Sequence, residues 1–294
     1  FNLTYKLQNL SLFIFHITSF SIIIFMKNVF VVNDDSIRSP GLSVLVKNLE
    51  KYNLTIVSTE QIRSWTSKAI TVNKYVQLKE ESIVNHKSYV VDGFPADCVN
   101  IGLNHIIKEK QDLLVSGINI GENATVGWLL SSATVAATIE GAICGVKGIA
   151  FSQQMSDKTY EVTNSVKNKQ PVEKYEKIFN LSGKISRLIT DYVLERSFPE
   201  EAKIISVNFP PEESFNGKWA VTRPYSWSYG SLFSKTPEGY LKTGGNFTKN
   251  KVTEEGTDMW ALHNGYISIS FYDLPFIPII NKNVNDYFSD LKLS

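Results

Sequence analysis

The strongest constraint in this sequence is one local pattern that recurs along it. A short continuous apolar run is followed by a polar loop, and then by apolar residues at helical spacing. Apolar runs of this length fit strands buried on both faces, and their alternation with helical stretches fits a parallel sheet. The spacing predicts strands at 28–32, 54–57, 88–91, 113–115, 147–151 and 203–207, and helices over 41–52, 95–107, 132–145 and 172–196. Small residues along 133–142 would let that helix approach the sheet closely. Residues 153–171 are polar and are predicted to be a surface loop. Residues 211–256, rich in Gly, Ser, Thr, Tyr and Trp, are predicted to form a β-hairpin arm for oligomer contacts, before a last strand at 265–271 and a closing helix at 284–293. The fold class expected is α/β: a Rossmann-like three-layer αβα sandwich with a mostly parallel sheet, a single domain over 26–294.

The first 25 residues differ from the rest. Residues 10–25 are rich in Phe, Ile and Ser, but such a run is short for a membrane span, which needs about 20 residues. A strand pattern begins just after Met26, which leaves no room for a signal-peptide cleavage site and spacer. Met26 is therefore the expected start, with 1–25 a non-native upstream extension. A weak membrane anchor is the alternative.

Composition excludes some classes. Thirty Lys and Arg against 29 Asp and Glu give a net charge of +1, so a strongly basic nucleic-acid binder is not expected. The two cysteines, Cys98 and Cys144, and the four scattered histidines fit neither a disulfide scaffold nor a zinc site. Two buried free thiols in a reducing, cytoplasmic compartment are expected. The chain lacks G-x-G-x-x-G after its first strand, and it lacks the P-loop and G-x-S-x-G motifs.

In open α/β sheets ligands bind beyond the carboxyl ends of the strands, so the polar residues that follow each strand are the candidates. After the first strand come Asn33, Asp34, Asp35 and Ser36; after the second, Arg63, Ser64, Trp65, Thr66 and Ser67; after the fourth, Ser116 to Asn123. Adjacent carboxylates with a hydroxyl and an amide carbonyl suit a hard cation such as Mg²⁺ or Mn²⁺. Ser131, Ser132 and Thr134, at the start of a predicted helix, offer donors to a phosphate. Each signal alone has an ordinary reading as a turn or a cap.

Taken together, these segments resemble the SurE family of survival-protein phosphatases. Asn33-Asp34-Asp35-Ser36 with Pro40-Gly41-Leu42 resembles its N-D-D-G…P-G-[IL] opening, and Arg63-Ser64-x-x-Ser67 its second motif. Gly93-Phe94-Pro95-Ala96-Asp97-Cys98-Val99 resembles G-T-P-x-D-C-V, and Ser116-Gly117-Ile118-Asn119-x-Gly121-x-Asn123 matches S-G-I-N-x-G-x-N. Ser132-Ala133-Thr134-Val135-Ala136-Ala137 with Glu140-Gly141 resembles S-G-T-V-A-A…E-G. Ser206 to Pro210, and Gly256-Thr257-Asp258 with Gly265 to Ile269, resemble later landmarks.

The resemblance implies a metal-dependent phosphatase acting on nucleoside 5′- or 3′-monophosphates, with one Mg²⁺ or Mn²⁺ per subunit, assembled as a homodimer or homotetramer through the arm. By motif position Asp34, Asp35, Ser64 and Asn119 take the metal-ligand places, and Asp34 and Asp35 the catalytic ones. Asn33, Ser67, Gly117, Asn123, Ser132 and Thr134 fall in or beside the phosphate loops. The sequence departs from the pattern at Ser36, where the family has Gly, at Trp65, Phe94 and Ala133, and at Lys68, a cation expected to favour phosphate. These departures leave two alternatives open: a homologue that binds nucleotide without turning it over, and a phosphatase of short polyphosphate. Asp97 and Glu140 are expected to be structural, and Trp219, Trp227 and Trp260 to be packing or interface aromatics.

Overall fold

Residue 28 opens a strand whose side chains alternate between two buried faces, and the architecture follows from it. The computed structural model describes residues 26–156, Val162, Val166, 173–227, 231–243 and 252–274. The predicted extension at 1–25, most of the predicted loop at 153–171 and the predicted helix at 284–293 lie outside them.

In chain order come β1 (Asn28–Asn33), α1 (Pro40–Leu49), β2 (Asn53–Thr59), β3 (Leu78–Ile83), β4 (His86–Val91), α2 (Pro95–Ile101), β5 (Leu113–Ile120), α3 (Thr125–Ser131), α4 (Ala133–Ile143), β6 (Gly148–Gln153), α5 (Asn180–Arg196) and β7 (Ile204–Phe209). They are followed by β8 (Trp219–Val221), β9 (Phe233–Lys235), β10 (Leu241–Thr243), α6 (Asp258–His263) and β11 (Ile267–Tyr272). A short π-helix, Gly102–Ile106, extends α2, and a 3₁₀ stretch, Glu173–Phe179, precedes α5.

The main sheet has the order β3-β4-β2-β1-β5-β6-β7-β11-β8. From β4 to β7 every neighbouring pair is parallel; β3 and β11 add antiparallel pairings at the two sides. The chain builds outward from β1 through β2 to β4, then crosses to β5 and builds the other way. The topological switch therefore falls between β1 and β5.

Helices cover both faces, as the sequence predicts. Val29 and Val31 pack with Leu42, Leu45 and Leu49 of α1, while Phe30 and Val32 pack with Val99 of α2 and Ala137 of α4. Small residues hold α4 close: a Cβ on Gly141 would stand 2.8 Å from Leu114 Cδ1. The predicted arm splits in two. Residues 219–221 form β8, an edge strand of the main sheet, and β9 and β10 form a separate hairpin.

Two expectations are corrected. The strand expected to end at 115 continues to Ile120, because a bulge absorbs the Gly117–Ile118 step and pairing with β6 resumes at Asn119–Ser152. Cys98 is buried, but Cys144 is exposed at the C-terminal end of α4, beside a half-exposed Ile143. Burial raises both thiols above their ordinary pKa, so neither is an activated nucleophile.

Candidate active site

The site lies at the carboxyl ends of β1 and β5. Asn33 closes β1, and its Oδ1 accepts the Asp35 N–H at 2.6 Å, folding the chain into a tight polar turn. The turn is anchored from β2: Ser58 Oγ donates to the Asn33 carbonyl and Thr59 Oγ1 to that of Asp34. Ser36 has φ +72°, the left-handed backbone that costs an L-residue and that glycine adopts freely. Its hydroxyl accepts the Arg38 N–H at 3.2 Å, a local compensation.

Both aspartates are buried, 2% and 3% exposed. Thr134, in the first turn of α4, donates its hydroxyl to Asp34 Oδ1 at 2.7 Å, and the Ile120 N–H donates to Asp35 Oδ2 at 2.8 Å. Burial pushes the Asp34 carboxyl up to about 6, against the pull of the Thr134 hydroxyl. Burial and the neighbouring Asp34 charge hold Asp35 well above the usual carboxylate range.

A cavity of about 220 Å³ opens here, and Asp34, Ser64, Asn119, Asn123 and Ser132 supply polar wall. Asn119 donates its amide to the Gly121 carbonyl at 2.8 Å, which leaves Oδ1 as its acceptor end. Ser132 caps α4 by accepting the Val135 N–H at 3.0 Å, so its hydroxyl proton stays available to a ligand, beside the first N–H groups of the helix. Asn123 is tied down, donating its side-chain amide to Ser152 Oγ and its backbone N–H to Asn208 Oδ1.

Other expected site residues stand outside the cavity wall. Ser67 joins the β2 loop to α3, donating its hydroxyl to the Leu130 carbonyl and its N–H to that of Ser131. Gly117 sits in the β5 bulge at φ +126°, where a Cβ would stand 2.3 Å from the Phe151 carbonyl oxygen, so its part is to shape the backbone. Asn33, Asp35 and Thr134 are likewise absent from the wall: Asn33 Oδ1 holds the Asp35 N–H, Thr134 holds the Asp34 carboxylate, and Asp35 adjoins Asp34 in the same turn.

Lys68 is paired with Glu140 of α4 at 2.6 Å. Asp97 accepts the Phe94 N–H and the Thr71 hydroxyl, the structural role expected of it. Trp128 and Glu122 also line the cavity. Sequence reasoning missed Trp128 because Thr125–Ser131 carries no side-chain cap and contains a glycine.

The donors present fit a hard divalent cation. All are oxygens, and the Asp34 charge disfavours that of its neighbour Asp35 until a cation offsets it. The buried Asn33 Nδ2, which has no hydrogen-bond partner, is a donor and suits an anion's oxygen rather than the cation. Among the described residues no group of three or more His, Cys, Asp or Glu side chains forms a metal cluster, so few protein ligands would leave coordination places to water.

The model of the family described as survival protein SurE matches residues 29–231. This chain belongs to the SurE family. Among SurE relatives it is similar to the 5′-nucleotidase SurE of Archaeoglobus fulgidus, 34% identical over 82% of this chain and 89% of the relative. The 5′-nucleotidase SurE of Chlorobium luteolum is 35% identical over 69% of this chain and 80% of the relative. The crystal structure of SurE protein from Aquifex aeolicus superposes with a TM-score of 0.69 at 27% identity, covering 90% of this chain and all of that one.

Proposed function

We propose that the chain hydrolyses nucleoside 5′- (or 3′-) monophosphates to nucleoside and phosphate, with one Mg²⁺ or Mn²⁺ per subunit. One observation carries the reading: the buried Asp34 shares a single cavity with Asn119, Ser64 and the N-terminal end of α4. A carboxylate for a cation and helix N–H groups for an anion thus stand within one small volume, as a metal phosphate ester requires. The names of the curated relatives support the substrate class.

Asp34, Asp35, Ser64 and Asn119 would hold the cation, which when bound would polarise a phosphoryl oxygen and lower the pKa of a bound water. Asp35 keeps its place through the Ile120 N–H, and Thr134 fixes the rotation of the Asp34 carboxylate. Asp34 would orient the attacking water and take its proton. Ser132 and the first N–H groups of α4 donate to the charge that grows on the phosphoryl oxygens, an arrangement already built before substrate arrives. Asn123, held by Ser152 and Asn208, gives the far wall a fixed position.

Assembly as a homodimer or homotetramer is part of the proposal. Half-exposed or exposed Trp219, Val221, Phe233 and Leu241 on β8 and the β9–β10 hairpin support it. Two free cysteines support a cytoplasmic location. Among the described residues no single helix is long and apolar enough to cross a membrane.

The test is phosphate release from a panel of nucleoside monophosphates and short polyphosphate, with Mn²⁺, Mg²⁺ or EDTA, beside Asp34→Asn. Release from the nucleotides should vanish in EDTA and fall about 10²–10⁴-fold in the variant. No release while metal still binds would overturn the hydrolase reading and leave a nucleotide binder. Release from polyphosphate alone would move the substrate class.

A further inference from the structure

The cavity has a second, apolar character. Two indoles, Trp65 and Trp128, line it together with Asp34, Asn119 and Ser132. Trp65 is 52% exposed and has φ +62°, a backbone that a bulky L-residue adopts at a cost. Trp128 is half-buried on α3, and the ring of Trp227 stands edge-on to it, centroids 5.5 Å apart at 82°. The two tryptophans line one cavity and are carried by segments bonded to each other. Ser67, two residues beyond Trp65, is bonded to the carbonyls of Leu130 and Ser131 at the end of α3, which fixes the Trp65 loop against the helix that carries Trp128.

Size then decides what the indoles meet. About 220 Å³ is less than the roughly 300–1,000 Å³ of a pocket that encloses a drug-sized ligand. A nucleoside monophosphate cannot be enclosed there. Its phosphate belongs at the carboxylates and the α4 terminus, which leaves the far end of the molecule at the mouth, where Trp65 stands half in solvent.

We infer that Trp65 and Trp128 form an aromatic slot that stacks on the nucleobase, and that Trp65 sets how strongly the enzyme prefers a phosphate ester carrying a base. The inference rests on the nucleotide reading above. Stacking reads no hydrogen-bond edge and accepts every base. The slot therefore selects for a base, with the larger purine rings favoured over pyrimidines, without choosing one base sharply.

The experiment compares the full chain with Trp65→Ala and Trp65→Phe on AMP, CMP and ribose 5-phosphate, which has the sugar and phosphate but no base. The ratio of kcat/KM for AMP to that for ribose 5-phosphate should fall about 10-fold in Trp65→Ala. The change should appear in KM for AMP, the AMP advantage over CMP should shrink, and Trp65→Phe should restore most of it. An unchanged ratio overturns the slot, because a merely structural Trp65 would lower both substrates together.

A binding arm separates failure of the slot from failure of the nucleotide reading. With Mg²⁺ present, AMP but not ribose 5-phosphate should quench tryptophan fluorescence of the parent, and Trp65→Ala should lose most of that quench. If the parent turns over neither ester, hydrolysis fails, while an AMP-specific quench that depends on Trp65 still sustains the slot. Absence of that quench overturns it.

Discussion

Asp34 and Asp35 sit side by side out of water, and that arrangement is costly until a cation or a proton relieves it. The folded Asp34 carboxyl is pushed up to about 6, from about 4 in an unfolded chain. The folded state therefore binds the proton more tightly than the unfolded one. By linkage, folding stability falls as pH rises through the window from about 4 to about 6, and the penalty stays above it. Asp35, raised in the same direction, extends the penalty upward in pH. Thermal melts in EDTA should show the parent losing stability relative to Asp34→Asn between pH 4 and 7. Mn²⁺ should raise the parent's Tm at pH 7 and do so progressively less below pH 6, where protons compete for the same oxygens. A parent whose Tm relative to the variant does not move across this range would show that the pair is not strained. The same residues were the most legible in the sequence. A polar Asn-Asp-Asp directly after a continuous apolar run has few placements other than the carboxyl end of a buried strand. Burial of both carboxyls could not be read, because it depends on α4 closing over them.

At the scale of elements, the end of β5 shapes the site. Its bulge turns the Ile118 carbonyl toward α1, where a Cβ added at Gly41 would stand 2.1 Å from that oxygen. Backbone cannot yield as a flexible side chain does, so Gly41→Ala must displace either α1 or the strand that carries Asn119. We expect a loss of roughly 1–3 kcal/mol from such overpacking, equivalent to a Tm lowered by about 2–10 °C, and a larger loss of activity than of fold. Calorimetry and phosphate release on the same preparation check it; an unchanged Tm would mean that the helix slides without cost. The sequence showed β1, β2, β6 and β7 because apolar runs mark strands buried on two faces. It hid β3, whose LKEESI is almost wholly exposed. The β3–β4 turn was equally silent: Val84 and Asn85 both take positive φ without the Asn-Gly signature. Ser-Gly-Ile-Asn reads locally as a turn, and only pairing with β6 keeps it in the sheet.

Across the whole molecule, the C-terminal part of the described chain reaches back to hold the site wall. Thr125 opens α3 at φ +68° with no side-chain cap at Ala124. What fixes that start is Asp258, more than 130 positions later in the chain. Its buried carboxylate accepts the N–H groups of Thr125 at 2.6 Å, Tyr225 at 3.0 Å and Met259 at 2.7 Å. No local pattern around Thr125 announces a helix, which is why α3 and its Trp128 were illegible, whereas Gly256-Thr257-Asp258 was visible as a landmark without a purpose. Asn at 258 has one acceptor oxygen in place of two and must turn its amide toward a donor. Asp258→Asn therefore leaves a buried N–H unpaired, at a cost of about 1–3 kcal/mol, and loosens α3 against the arm. Of the proposed metal donors, Asp34, Asp35 and Asn119 are anchored elsewhere, by β1, β5 and Thr134; only Ser64 lies on the loop tied to α3. KM for nucleotide should consequently rise several-fold in Asp258→Asn, while the Mn²⁺-induced rise in Tm stays close to the parent's. If the Mn²⁺-induced rise in Tm is lost as KM rises, α3 supports the metal site as well, and the two halves of the cavity are one mechanical unit.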